Sequence, residues 1–437
     1  MSDDPRRQTP RTDVVLADPR LVDAAARLGR AVVKGVVTDA LDRVRTGVLA
    51  PDEVVDHVLL GLPASATSLR AVINATGVVV HTNLGRAPLS AAAVEAAVAV
   101  AGHTDVELDL LTGRRSPRGR GALAALAAAV PDARAVHVVN NGAAALALVG
   151  CALGAGREVV VARGEMVEIG DGFRIPELLA SVGVRLREVG TTNRVRLSDY
   201  EAAIESETAF VLKVHPSNFR VEGFTSSVPV DDLAALGVPV VADIGSGLLA
   251  PHPRLPEEPD AASTLRSGAA LVTASGDKLL GGPQCGLLLG DASLVERVRR
   301  FPLARAMRVD KLTLAALEAT LVGPTPPVLE ALAAQADVLM RRARRIADAL
   351  CHDLGVGTAR AVPSEGAVGG GGAPGVVLRS AAISLPPPLA DRLRTGQPPV
   401  VGHVKGGRLL LDVLTVPEHL DDALIEAVRQ AADVRES

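Results

Sequence analysis

Only five of the 46 basic residues in this 437-residue chain are lysine: Lys34, Lys213, Lys278, Lys311 and Lys405. Arginine keeps its proton, whereas a desolvated lysine can lose it and form a Schiff base with a carbonyl. Amine chemistry therefore has five candidates. Lys278 stands out, because residues 275–286, "SGDKLLGGPQCG", set it between an aspartate and a run of glycines. The preceding residues 269–274 read as a buried strand, which puts Lys278 in a turn with little side chain around it. Lys213 is the one rival; it sits mid-strand in "FVLKVHP" and reads as an edge or ion-paired lysine.

Two other strand ends carry chemistry. Asp243 closes the apolar run "VPVVADI", and an unpaired buried carboxylate is costly, so a positive partner is expected. After "AVHVV" comes "NNGAAALALVG" (140–150), where small residues open a helix. Helix-start N–H groups there can hold an anion, with an ordinary tight βα turn as the alternative. Asn141, Gly142 and Ala143, with Ser275, are the candidate phosphate cradle. "GSGLLA" (245–250) matches a dinucleotide fingerprint, but Pro251 and Pro253 stop the helix it requires. A phosphate loop, then a strand-end Asp, then a strand-end Lys is the order expected for pyridoxal phosphate on an aspartate-aminotransferase-like sheet. In it Asp243 keeps the ring nitrogen protonated and Lys278 forms the Schiff base.

Arg86 lies in "HTNLGRAPLS"; Arg305 and Arg308, in "RFPLARAMRVDK", are three apart and are expected to share a helix face. Three guanidiniums can clamp a phosphate-like anion, although each alone reads as surface charge. "GRRSPRGR" (113–120) reads as a loop able to contact RNA phosphates, and "RRARR" (341–345) as a solvated helix face.

The elements that position these residues fall into three stretches. Residues 1–66 read as a small helical domain. Residues 67–310 alternate β-rich runs with Ala-rich helices, the pattern of a mostly parallel sheet covered on both faces, whose ligands bind beyond the strand carboxyl ends. Residues 311–437 read as two long helices, "KLTLAALEATL" and "PPVLEALAAQADVLMRRARRIADAL", then a smaller α/β region with a "KGG" hairpin turn.

Composition bounds the partners. A net charge of −4 gives no general pull on polyanions, so nucleic acid would need local basic clusters. Aromatics at 1%, with no Trp, leave no ring platform for stacking bases. Cys151, Cys285 and Cys351 lack metal-ligand or disulfide spacing, no apolar run reaches about 18 residues, and "MSDDPRRQTP" has no apolar leader core. A cytoplasmic protein without membrane contact or metal is expected.

From about Leu69 to about Thr415 the chain resembles the bacterial selenocysteine synthase family. The match rests on "LRAVINATGVVVHTNLGRAPLS", "RGEMVEIGDGFRIPELL", "EVGTTNR", "LKVHPSNFRVEGFT", "SGDKLLGGPQCG" and "PLARAMRVDKLTLAALEATL". The resemblance implies an α/β pyridoxal 5′-phosphate enzyme of fold type I, with a small N-terminal helical domain for tRNA recognition and a C-terminal α/β domain. It implies a homo-oligomer, a ring of dimers making a homodecamer. Lys278 falls on the family's cofactor lysine and Asp277 on its acidic neighbour; Arg86, Arg305 and Arg308 match arginines associated with the selenium donor's phosphate. The chain departs from the family at Cys285 (usually Ala), Pro216 (commonly Thr), Gly142 (commonly a third Asn) and "GGGGAPG" (369–375), which replaces a Gly-Gly-Ser-Leu-Pro type of loop.

The implied reaction converts L-seryl-tRNA(Sec) to L-selenocysteinyl-tRNA(Sec) with selenophosphate, through a dehydroalanyl intermediate. Two alternatives stand beside it. One is a related lyase acting on a small amino acid or amino sugar, a group that usually lacks the N-terminal domain. The other is a catalytically silent tRNA-binding homologue, which the presence of both Asp243 and Lys278 disfavours.

Overall fold

The computed structural model describes residues 8–354 and 359–433, in two compact units that meet in sequence at Val72 and Ile73. Residues 1–7, 355–358 and 434–437 of the expected terminal domains lie outside the described residues.

The first unit is helical: α1 (Thr12–Leu16), α2 (Pro19–Leu28), α3 (Arg30–Arg45) and α4 (Val54–Gly61). Asp18 caps α2 by accepting from Arg20 N–H, and Pro19 fills the first helical position, where its missing donor costs nothing. Gly29, at φ 90°, divides what reads in sequence as one apolar pattern into α2 and α3. Leu21, Leu28, Val33, Val37, Leu41 and Val58 form its core at helical spacing.

The second unit is built on a seven-stranded sheet: β1 (Ala135–Val139), β2 (Glu158–Ala162), β3 (Arg185–Val189), β4 (Thr208–Val214), β5 (Val240–Gly245), β6 (Leu271–Ser275) and β7 (Gly286–Gly290). Its order is β1-β7-β6-β5-β4-β2-β3, parallel except that β7 runs against both neighbours. The strands read as near-continuous apolar runs because both faces are buried: Leu288 enters one core, Leu287 and Leu289 the other.

Among the helices that flank the strands in sequence are α5 (Ala91–Ala99), α6 (Arg120–Ala129) and α7 (Gly142–Val149). Helix α8 (Lys311–Val322) packs against α5 and α6. The stretch Lys311–Ala333 is long and apolar enough to cross a membrane by length and composition alone. Gly323, Pro324 and Pro326 split it into α8 and α9 (Pro327–Ala333), and both bury core residues such as Leu317 and Leu332. The second long helix expected from sequence is also two, α9 and α10 (Ala336–Leu354); Ala334 is extended (ψ 141°), a break that no glycine or proline announces there.

A second sheet contains β8 (Arg360–Gly369), β9 (Val377–Leu385), β10 (His403–Lys405) and β11 (Arg408–Asp412) in the order β10-β11-β9-β8. Residues 406–407 make the expected two-residue hairpin turn. The short strand Val78–Val80 adds in parallel to β8, so the segment leading to Arg86 lies beside the glycine run that follows β8. The "RRARR" face is not solvated throughout: Arg342 is buried in an ion pair with Asp421, which also takes Arg345.

Candidate active site

The register of β5 on β6 sets Asp243 directly opposite Thr273. Thr273 Oγ1 donates to Asp243 Oδ1 at 2.9 Å. The pairing then slips by one residue, a bulge of the kind that re-aims side chains beside active sites. Burial pushes the Asp243 carboxyl up, opposed by the Thr273 hydrogen bond and by the charge of Lys278. The positive partner expected for Asp243 is thus joined by a hydroxyl, and a polar Thr inside the apolar run "LVTAS" was its signal in the sequence.

Lys278 follows β6 in the turn 276–280. The next residue, Leu279, is buried in a core shared with Val80, Val368 and Ala373, which fixes the root of the lysine. Burial lowers the Lys278 pKa, against the charges of Asp243 and Asp277. The flanking Asp277 is 6% exposed and accepts from Arg86 Nη1 at 2.6 Å.

The four cradle candidates come together at one end of the sheet. Asn141 caps α7 by accepting from Ala144 N–H at 2.7 Å, leaving the N–H groups of Gly142 and Ala143 without a bond among the described residues. Ser275 ends β6 so near that a Cβ on residue 142 would stand 2.5 Å from its Oγ. On β7, a Cβ at Gly286 would stand 2.0 Å from the Asn141 carbonyl oxygen, so only glycine lets this strand lie under the loop.

Arg305 and Arg308 do not share a helix face. Residues Pro302–Arg305 form a single 3-10 turn; Met307 then accepts from Asn140 N–H at 2.9 Å and Arg308 bridges to Val139, which draws the chain out of helix. Arg305 is exposed, and its side chain makes no hydrogen bond or ion pair among the described residues. Arg308 donates to Glu107 at 3.3 Å, and Arg115 and Arg118 reach the same carboxylate at 3.1 and 3.4 Å. In "GRRSPRGR", Arg115, Arg118 and Arg120 thus pair with acidic residues, Arg120 with Asp105, while Arg114, Arg115 and Arg120 stay exposed; composition does not reveal this pairing.

Lys213 forms an ion pair with Glu165, which also accepts from Val214 N–H at 2.9 Å. It lies on a central strand, not an edge, and its amine is taken up by that partner. A cavity of about 570 Å³ opens here, lined by Lys213, His215, Asp243, Glu258 and Ala373 among others. It adjoins Asp243 rather than surrounding Lys278. Among the described residues no group of three or more His, Cys, Asp or Glu stands ready to hold a metal.

These features fit pyridoxal phosphate. The donor set supplies helix-start N–H groups and a hydroxyl for a phosphate, a strand-end carboxylate for a pyridinium and a desolvated amine for an aldehyde. Ser246 Oγ, one residue past the end of β5 and three past Asp243, is fully buried without a partner among the described residues.

Comparison with known proteins agrees. The family described as L-seryl-tRNA selenium transferase matches residues 72–417, and the selenocysteine synthase N-terminal family matches residues 6–45. The L-seryl-tRNA(Sec) selenium transferase of Hyphomonas neptunium is 40% identical over 98% of both chains. That of Nitratidesulfovibrio vulgaris is 43% identical over 94% of both, and that of Moorella thermoacetica 41% over 99% of this chain and 98% of its own. In fold, the chain is similar to D-glucosaminate-6-phosphate ammonia-lyase, with a TM-score of 0.58 at 19% identity over 84% of this chain and 96% of that one. The architecture is that of the fold-type-I pyridoxal phosphate enzymes. On the family match and these relatives together, the chain belongs to the L-seryl-tRNA selenium transferase family.

Proposed function

We propose that this chain converts L-seryl-tRNA(Sec) to L-selenocysteinyl-tRNA(Sec), with selenophosphate as selenium donor and Lys278 as the reacting amine. The observation that carries the reading is the desolvated Lys278 amine set between Asp243 and Asp277 at one strand end. The match of residues 6–45 to a selenocysteine synthase N-terminal family supports it over a lyase of small substrates.

Pyridoxal 5′-phosphate is the cofactor of this family; when bound it supplies an aldehyde for an amine and a ring that accepts electrons from the substrate Cα. Asp243, steadied by Thr273, would hold the cofactor's ring nitrogen and keep a cation there favourable. Asn141, Gly142, Ala143 and Ser275 hold the phosphate. Lys278 Nζ, whose pKa burial lowers, takes the seryl Cα proton and delivers it to the β-hydroxyl, which leaves as water. Asp277 holds Arg86 at 2.6 Å, and Arg86 joins Arg305 and Arg308 in binding the donor's phosphate. Selenium then bonds to the β-carbon of the dehydroalanyl group as Cα regains a proton, and water cleaves the selenium–phosphorus bond so that inorganic phosphate leaves.

Residues 1–66 recognise the tRNA, 67–310 bind the cofactor and 311–437 form the C-terminal domain in this reading. The enzyme works in the cytoplasm as a homo-oligomeric ring of dimers, which sedimentation measures. The deciding experiment incubates cofactor-loaded protein with seryl-tRNA(Sec) and selenophosphate and looks for selenocysteinyl-tRNA. Loaded protein that makes none, yet releases ammonia from a small amino acid or amino sugar, overturns the reading in favour of a lyase.

A further inference from the structure

The glycine run after β8 lies against Lys278. Gly370 N–H donates to Val80 O at 2.9 Å. Gly371 has φ 90°, and a Cβ there would stand 2.5 Å from Lys278 Nζ. Ala373 is left-handed at φ 47°, an unfavoured state for a residue with a side chain. Its N–H donates to Glu258 Oε2 at 2.7 Å. Glu258 is 6% exposed; the same Oε2 stands 3.2 Å from His215 Nε2, while Oε1 is buried without a partner among the described residues. His215 N–H in turn donates to Asp243 O at 2.9 Å. One carboxylate thus joins the end of β4, the loop before the helix Ala261–Arg266, and the cover over the lysine.

We infer that Glu258 is a positioning residue that latches the glycine run over Lys278 and keeps water from its amine. This rests on the reading of Lys278 as the reacting lysine. A glycine-rich loop loses much conformational freedom when it is seated, so it needs an anchor. A hydrogen bond to an ionised carboxylate is of the stronger kind, and a buried carboxylate oxygen left unpaired calls for an explanation beyond packing. Glu258 also acts on Lys278 by charge, favouring the protonated amine, while burial under the cover disfavours it; Asp243 and Asp277 act with Glu258, and Arg86 against it.

The two effects separate with two substitutions. Glu258→Gln keeps a carbonyl acceptor for Ala373 N–H and removes only the charge. Glu258→Ala removes both. The test uses the full chain without cofactor, following hydrogen exchange of peptides covering 369–378 and the pH midpoint of Lys278 labelling by an amine reagent. With Glu258→Ala, exchange at Ala373 is expected to quicken at least tenfold while the β6 amides stay protected, and the Lys278 midpoint to rise. With Glu258→Gln, exchange is expected within threefold of the parent and the midpoint to fall. Unchanged Ala373 exchange in Glu258→Ala, or midpoints moving the same way in both variants, overturns the latch. Should Glu258→Ala not fold, Gly371→Ala decides instead, because its methyl pushes the run off Lys278; unchanged exchange and labelling there overturn the latch. A borohydride experiment on loaded parent protein that finds no adduct on Lys278 defeats the reading of the lysine and leaves the exchange result to judge the latch separately.

Discussion

Arg86 Nη1 donates to Asp277 Oδ2 at 2.6 Å, across 191 positions of the chain. The Asp277 carbonyl also accepts from Ala87 N–H at 3.1 Å, so backbone and side chain bind the same two segments. Arg86 holds φ 67°, a left-handed state that the presence of a Cβ disfavours, and its N–H donates to His81 O to close the turn. The side chains are 40% and 8% exposed: the guanidinium keeps one edge open to solvent while covering a buried carboxylate beside Lys278.

Two replacements of Arg86 separate its charge from its backbone. Arg86→Ala and Arg86→Gly are both expected to lose selenium transfer at least tenfold, since both delete the guanidinium. They differ in stability: glycine accepts the left-handed state freely, so the glycine variant is expected to be about 0.5–1 kcal/mol more stable than the alanine one by denaturant midpoint. Equal midpoints would show that the turn does not hold that backbone in solution.

Lys278→Ala is expected to abolish the borohydride-trapped cofactor adduct and the absorbance near about 420 nm that accompanies it. Lys213 is the internal control, its amine paired with Glu165 on a central strand. Peptide mapping that finds the adduct on Lys213 would move the reacting amine there.

The arginines after Pro302 should act unequally. Arg305 is exposed and unpaired among the described residues, so Arg305→Ala is expected to leave the cofactor band intact and raise the KM for selenophosphate at least tenfold. Arg308 already shares Glu107 with Arg115 and Arg118. Burial opposes ionisation of Glu107, but the hydrogen bonds from Arg118 and Arg115 outweigh it and hold the carboxyl below its usual range. Arg308→Ala is therefore expected to cost less in donor affinity than Arg305→Ala; donor kinetics unchanged in Arg305→Ala would remove that residue from the site.

Stability should fall on mild acidification through His137 on β1. Burial first, then the charge of Arg299, lowers its pKa to about 4 from an ordinary 6.5, and its Nδ1 is buried without a partner among the described residues. The folded-state value is depressed, so the contribution is full above about pH 6.5 and is lost as pH falls toward 4, where the unfolded chain takes the proton more readily. At pH 5 the loss is about 2 kcal/mol relative to pH 7. His137→Leu is expected to flatten this part of the pH profile, measured as denaturant midpoints; an unaltered slope would assign the acid sensitivity elsewhere.

Much of the fold is legible because its signals are local. The run "GLLLG" coincides with β7, and the strand end before Lys278 falls where an apolar run meets glycines. Local pattern misleads where a distant contact outweighs it. Three-residue spacing predicts one helix face for Arg305 and Arg308, but pairing with the end of β1 draws the chain straight. A continuous apolar period predicts one helix where α9 and α10 are two.

Residue types and their order along the chain determined the scarce lysine, the strand-end acid and the small-residue helix start, since each depends on neighbours a few positions away. Which groups then meet was decided only by tertiary packing: Arg86 on Asp277, Thr273 on Asp243, and Glu258 on Ala373 across 115 positions. The physical reason is that a strand or helix period specifies which side of an element is buried. It does not specify which other element will cover that side, and desolvation and ion pairing both depend on the covering element.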